Sequence, residues 1–252
     1  MVRPKVLVLT GYGINCDEET KYAFELAGAM PDIVHINDLI DKKFDLSDYQ
    51  ILAFPGGFSF GDDTGSGRAL ANRIKNNLWA DVQKFVDSKL VIGICNGFQV
   101  LANLGLLPAL DGKYGVSQVA LTHNTSARYE CRWVELLPVS SKCVWTKSVE
   151  PFEVPVAHGE GNFYSSPELL ARLQKEDSIV FRYAKNRNSA KQEFPFNPNG
   201  SIDDIAAICD ASGKILGMMP HPERACEKIL GSEDGLRLFE SIVKFKDLIC
   251  KT

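Results

Sequence analysis

Three residues of this chain have the types and the spacing for nucleophilic acyl transfer, and the first is Cys95. It stands in Gly93-Ile94-Cys95-Asn96-Gly97-Phe98-Gln99. The apolar run Leu90-Val91-Ile92 leads in, and Phe98, Val100, Leu101 and Leu104 follow at helical spacing. That pattern reads as strand, sharp turn, helix. It is the cysteine version of a nucleophile elbow, which holds a reactive side chain on a strained strand-to-helix turn. The small flanks are read as letting the backbone bend and leaving the sulfur uncovered. The same turn aims backbone N–H groups of the new helix at one point, where an oxyanion could be held. By itself the motif is weak, because cysteine is also a common small core residue.

A thiol with an ordinary pKa is only about 3% ionised at pH 7. A helix N-terminus adds about 1 kcal/mol, so a base is needed as well. The chain has four histidines. His35 falls in a strand and reads as structural, and His123 lies in a loop without an obvious partner. His158 and His221 each end an extended run. His221 has the better context, Met219-Pro220-His221-Pro222-Glu223-Arg224. A proline after His221 favours extended backbone there, and in extended chain residues i and i+2 share a face. Glu223 can then orient one ring nitrogen while the other faces the thiol, the nucleophile–base–orienter arrangement. His158, in His158-Gly159-Glu160-Gly161, is either a structural loop histidine or part of a pocket wall.

Such groups must be brought together by the elements around them. Residues 5–10 form an apolar strand, broken by Gly11-Tyr12-Gly13, which lacks the rest of a dinucleotide fingerprint. Asn15 is expected to cap the next helix, with Asp17, Glu18 and Glu19 in its first turn. Strands at 32–36 and 50–54 follow, giving a β-α-β unit and a parallel sheet. The third strand runs into Pro55-Gly56-Gly57 and a loop to residue 67 that holds five glycines. Helical sequence covers 68–87, and strand 90–94 enters the elbow. Extended segments are expected at 116–121, 129–137, 151–157 and 178–183, and a short helix at 167–175 capped by Ser165 or Ser166. A loop spans 185–203, paired strands cover 205–209 and 214–219, and a helix closes the chain at 235–249. The fold class is α/β: an open, mostly parallel sheet flanked by helices, flavodoxin-like at its core, with added β segments. Neither a repeat nor a low-complexity linker divides it, so residues 1–252 are expected to form one domain.

A formal charge of −4 and a pI near 5.6 argue against a nucleic-acid partner, since no basic stripe is present. Nothing in the sequence reaches membrane-spanning length, and residues 1–10 lack a secretory cleavage pattern. The seven cysteines include no C-x-x-C pair, so no zinc ribbon and no metal site is expected. Their scatter fits a reducing cytoplasm. Cys131, Cys143, Cys209, Cys226 and Cys250 read as structural. Cys16 lies in a glycine-bearing loop and is expected to be dispensable for the chemistry.

Taken together, the elbow, the Pro-Gly-Gly loop and the His-x-Glu pair resemble the class I (triad) glutamine amidotransferases. PGGFSFGD at 55–62, GICNGFQVL at 93–101, AHGEGNF at 157–163, NPNGS at 197–201 and GMMPHPERA at 217–225 are similar to the glutaminase components of phosphoribosylformylglycinamidine synthase. Residues 63–67 depart from the Tyr-Leu-Arg-Ala-Gly type segment of many members. The resemblance implies hydrolysis of L-glutamine to glutamate and ammonia through a thioester on Cys95, with His221 as base and Glu223 as its orienter. It also implies backbone N–H groups of Gly57 and Asn96 as the oxyanion hole, and Gly56, Phe58, Gln99 and His158 around the substrate. No cofactor is expected in this chain. ATP and Mg are expected on a large synthetase subunit that receives the ammonia, with a small accessory subunit as a further partner. Another cysteine hydrolase of the same fold, or a catalytically silent regulatory subunit, are the alternatives.

Overall fold

The computed structural model describes residues 3–147 and 149–244. In the first half, apolar runs alternate with helices that carry the chain back to the starting edge, so the strands pair in parallel. The elements in chain order are β1 (Lys5–Thr10), α1 (Asp17–Leu26), β2 (Met30–His35), α2 (Ile36–Ile40), β3 (Ile51–Phe54), α3 (Arg68–Asn77), α4 (Trp79–Val86), β4 (Leu90–Ile94) and α5 (Asn96–Leu104). There follow β5 (Ala120–Thr122), β6 (Glu130–Pro138), β7 (Phe152–His158), β8 (Asn162–Tyr164), α6 (Pro167–Lys175), β9 (Ile179–Lys185), β10 (Asn188–Ser189), β11 (Ile205–Cys209), β12 (Ile215–Met218) and α7 (Leu236–Val243).

Strands β2, β1, β3, β4 and β12 lie side by side and parallel. The sheet continues antiparallel through β11, β9, β6 and β7, with β10 folded back on β9. β5 and β8 form a separate ribbon. This is the expected open α/β sheet, and most of the added β segments extend it edge to edge. β4 is buried at every residue, as a strand covered on both faces must be.

Helix α5 lies almost directly on the sheet. A Cβ on Gly97 would stand 1.9 Å from the Phe54 carbonyl oxygen, and one on Gly93 2.6 Å from that of Gly97. The flanking glycines therefore seat the elbow helix against β3 and β4. They do not uncover the sulfur, for Cys95 is only 5% exposed.

Other expectations shift for physical reasons. Asn15 does not cap α1: Cys16 holds that position without a side-chain cap bond. The N–H groups of Asn15 and Cys16 turn instead to the Gly56 carbonyl, at 3.4 and 3.2 Å. The helix expected over 68–87 breaks at Leu78, where φ is −131° and the side chain turns into the core. Ser166 caps α6, accepting from the Leu169 N–H at 3.2 Å. The segment 185–203 is less open than a polar loop, since β10 pairs back and Asn197 and Asn199 are buried. The part of the expected 235–249 helix beyond residue 244 lies outside the described residues, as does Cys250. No described helix is long and apolar enough to cross a membrane.

Candidate active site

Four neighbouring parallel strands deliver their following residues to one place. β1 leads to Cys16, β3 to Gly56 and Gly57, β4 to Cys95, and β12 to His221 and Glu223. Ligands of open α/β sheets lie at this carboxyl end, where the strand order reverses.

Cys95 takes φ 51° and ψ −107°, a conformation costly for a residue with a side chain and held only where the surroundings fix it. Its N–H donates to the Met218 carbonyl at 2.8 Å, and Gln99 N–H returns to the Cys95 carbonyl at 3.2 Å. Strand pairing on one side and a helical bond on the other thus pin the turn. The thiol points at the Ala157 carbonyl oxygen, 3.7 Å away.

The backbone N–H of His221 donates to the Pro155 carbonyl of β7 at 2.8 Å. Residues 222–224 form a 3-10 turn rather than the extended chain expected. The proline starts the turn, and His221 meets Glu223 across it instead of along a strand face. The contact itself is the expected one: Nδ1 lies 2.5 Å from Glu223 Oε1, with both residues buried. Burial opposes a charge on His221, but the Glu223 carboxylate outweighs it. The Cys95 and Cys16 sulfurs add to that effect, so the imidazole pKa stands well above its ordinary value. Nε2 of His221 and Oε2 of Glu223 have no hydrogen-bond partner among the described residues. A buried polar atom left open in this way calls for an explanation.

Gly56 lies beneath these groups. A Cβ there would be 2.8 Å from His221 Cε1, 3.0 Å from Cys16 Sγ and 3.5 Å from Cys95 Cβ. Gly57 has φ +147°, and a Cβ on it would meet the Gly13 carbonyl oxygen at 2.7 Å. The Pro-Gly-Gly segment is strapped to the loop after β1, with Phe58 N–H on Gly13 O and Phe60 N–H on Tyr12 O, both at 2.8 Å. The N–H groups of Gly57 and Asn96 donate to no protein acceptor among the described residues.

Beside Cys95 is a cavity of about 220 Å³. Phe58 and Tyr129 flank it, with ring centroids 6.3 Å apart. Gln99, Asp62 and Glu160 also line it. The Gln99 amide is held at both ends: Asn96 Nδ2 donates to its Oε1 at 2.9 Å, and its Nε2 donates to the Glu160 carbonyl at 2.7 Å. Asp62 accepts from Asn96 Nδ2 at 3.2 Å. Burial pushes the Asp62 carboxyl up, and Glu160 adds to this against the Gly67 N–H and neighbouring side chains.

His158 borders the same cavity, but its ring is engaged in the core. Nδ1 lies 3.2 Å from Asn124 Oδ1, and Asn199 Nδ2 lies 3.5 Å from Nε2. The residue is 2% exposed, and burial lowers its pKa to about 4, with the charge of His221 acting the same way. His158 thus lines the cavity as a neutral ring tied into a buried amide network. The 158–161 loop lines the cavity through His158, Gly159 and Glu160, while sequence reasoning missed Asp62 and Tyr129 as cavity residues, and the packing of Cys16 against His221. Only the glycine-rich setting of Asp62 and Cys16 hinted at them.

An open α/β sheet with a cysteine elbow after one strand and a His–Glu pair after its neighbour is the architecture of class I glutamine amidotransferases. Residues 3–245 match the family model described as CobB/CobQ-like glutamine amidotransferase domain. A Methanococcus maripaludis protein, phosphoribosylformylglycinamidine synthase subunit PurQ, is 54% identical over 96% of this chain and 90% of its own length. The protein of the same name from Dehalococcoides mccartyi is 43% identical over 97% and 98%. A chain in the structure of PurLQS from Thermotoga maritima matches with a TM-score of 0.75 and 31% identity, over 97% of this chain and 99% of that one. The chain belongs to the glutamine amidotransferases and, within them, to the PurQ family of phosphoribosylformylglycinamidine synthase subunits.

Proposed function

We propose that this chain is the glutaminase subunit of a phosphoribosylformylglycinamidine synthase. It hydrolyses L-glutamine and passes ammonia to a synthetase subunit, where ATP and Mg drive formation of formylglycinamidine ribonucleotide. A small accessory subunit of the same complex is the further partner, and the complex works in the cytoplasm. The observation that carries this reading is the buried His221–Glu223 pair behind Cys95, which itself lines a cavity of substrate size.

The Cys95 sulfur attacks the side-chain amide carbon of glutamine. The carbonyl oxygen becomes an oxyanion, received by the free N–H groups of Gly57 and Asn96. His221, whose pKa is raised, carries the proton from the thiol and hands it to the leaving nitrogen. Ammonia departs and a glutamyl thioester remains. His221, now neutral, takes a proton from water, which attacks the thioester and releases glutamate and the thiolate. Glu223 holds the ring in the required tautomer and stabilises the imidazolium. Gly56 leaves room for these groups by having no side chain, and Phe58 with Tyr129 covers the stem of the substrate. Gln99, fixed by Asn96 and Glu160, presents its amide to the polar end. Asp62 and Glu160 suit the α-ammonium group, because among the described residues no Lys or Arg lines this cavity. His158 acts on the substrate only through the backbone it supports.

Glutamate release from glutamine, with and without the synthetase subunit, tests this reading. Release is expected, and stronger in the complex. A chain that releases none in either state would be a silent subunit. One that hydrolyses other amides or peptides and spares glutamine would be a different cysteine hydrolase.

A further inference from the structure

Cys16 is buried, lies at the head of α1, and has no part in the reaction as derived above. Its Sγ, a ring nitrogen of His221 and a carboxylate oxygen of Glu223 all lie within 4.8 Å of one another. The Cys16 thiol donates to Asn15 Oδ1 at 3.3 Å, and the sulfur also accepts from Arg224 Nη2 at 2.9 Å. That is the only side-chain hydrogen bond of Arg224 among the described residues. Arg224 is half-buried, and a guanidinium has donors alone, so it needs an acceptor. The carboxylates whose charges act on Arg224 are Glu223, whose Oε2 is buried and unpartnered, and then Glu19.

We propose that Cys16 is a positioning residue for the catalytic base: its sulfur occupies the Arg224 guanidinium and so leaves the Glu223 carboxylate to His221. This rests on the reading of His221 as the base. Without the sulfur, Arg224 turns to Glu223 Oε2 and forms a charge-assisted bond. The carboxylate then shares its charge between guanidinium and imidazole, and the imidazolium loses part of its stabilisation. The expectation that Cys16 is dispensable is thereby replaced.

The charged and titratable groups around His221 are few. Glu223 and Arg224 come from its own turn, Cys95 from the elbow, and Cys16 from the head of α1. His158 and Tyr129 face it electrostatically from the β6 and β7 side, His158 as a neutral ring. Cys16 itself raises the His221 pKa, and Arg224 is the one permanent cation among these groups, so the Arg224→Gln arm separates the indirect effect of Cys16 from its direct one.

The test is the pH dependence of glutamine hydrolysis by the assembled complex. Cys16→Ala should lower kcat by about tenfold, in the range of coupled neighbours, with KM little changed. The alkaline limb of kcat should move to lower pH, because the imidazolium gives up its proton more easily. Adding Arg224→Gln to Cys16→Ala should return both the rate and the limb towards wild type. Cys16→Ser, which keeps an acceptor, should stay near wild type. The proposal is overturned if Cys16→Ala leaves the limb in place, or if the double variant is no better than the single. Should Cys16→Ala fail to fold, Cys16→Val, which fills the site without an acceptor, and its pairing with Arg224→Gln decide by the same criteria. Wild-type complex without glutaminase activity would instead remove the reading of His221 itself.

Discussion

Glu223 acts on His221 from 2.5 Å in a buried setting, where water screens the interaction little. Glu223→Gln keeps the shape but cannot stabilise the imidazolium and favours the wrong tautomer. It should cut kcat roughly a thousandfold or more, with the thermal melt close to wild type. Unchanged turnover would take Glu223 out of the chemistry. Asp62→Asn should raise KM for glutamine and leave kcat within a few-fold. It should also weaken discrimination against glutaramate, the analogue without the α-ammonium; equal discrimination by variant and wild type would free Asp62 of that role. His158 bears on stability rather than turnover. Its pKa falls from the ordinary histidine value of 6.5 to about 4 on folding, so between those values the unfolded chain binds the extra proton. Its contribution is full above pH 6.5 and is lost as pH falls towards 4, by about 3 kcal/mol in all. His158→Asn should therefore flatten the fall in urea midpoint between pH 7 and pH 5. At this scale the sequence made the His221–Glu223 contact legible because a single residue, Pro222, separates the partners. Cys16, Asp62 and Tyr129 reach the site from distant loops, and no local spacing records that.

The elements were legible where apolar period and turn chemistry agreed. β4, the elbow and α5 follow from an apolar run, a tight glycine-flanked turn and a helical pattern. The split of the 68–87 helix was not legible, because Leu78 leaves the helix to bury its side chain and nothing local breaks the pattern. The role of the elbow glycines escapes a sequence reading for a related reason: the close approach of α5 to β3 is a tertiary fact. It has a direct consequence. Gly97→Ala places a Cβ against the Phe54 carbonyl, and backbone must move to accept it. The cost should be about 3 kcal/mol or more, at the upper end for overpacking, read as a lower urea midpoint with an unchanged m-value. A midpoint equal to wild type would mean that α5 is not seated as described.

Across the whole molecule, the parallel half of the sheet and its antiparallel continuation have distinct tasks. The parallel strands bring Cys16, Gly56, Cys95 and His221 to one end. The antiparallel strands supply the supports behind them, with Pro155 holding the His221 backbone and Ala157 facing the thiol. Ammonia release belongs to this chain and amination to its partner, which is the division the account rests on. The most direct measurement is amidine formation by the complex carrying Cys95→Ala, supplied first with glutamine and then with an ammonium salt at mildly alkaline pH. The account predicts that glutamine-dependent synthesis is abolished, since no thioester can form without the sulfur, while ammonia-dependent synthesis persists. Synthesis from glutamine in that variant would contradict the assignment of Cys95, and loss of both activities in an intact complex would contradict the division of labour.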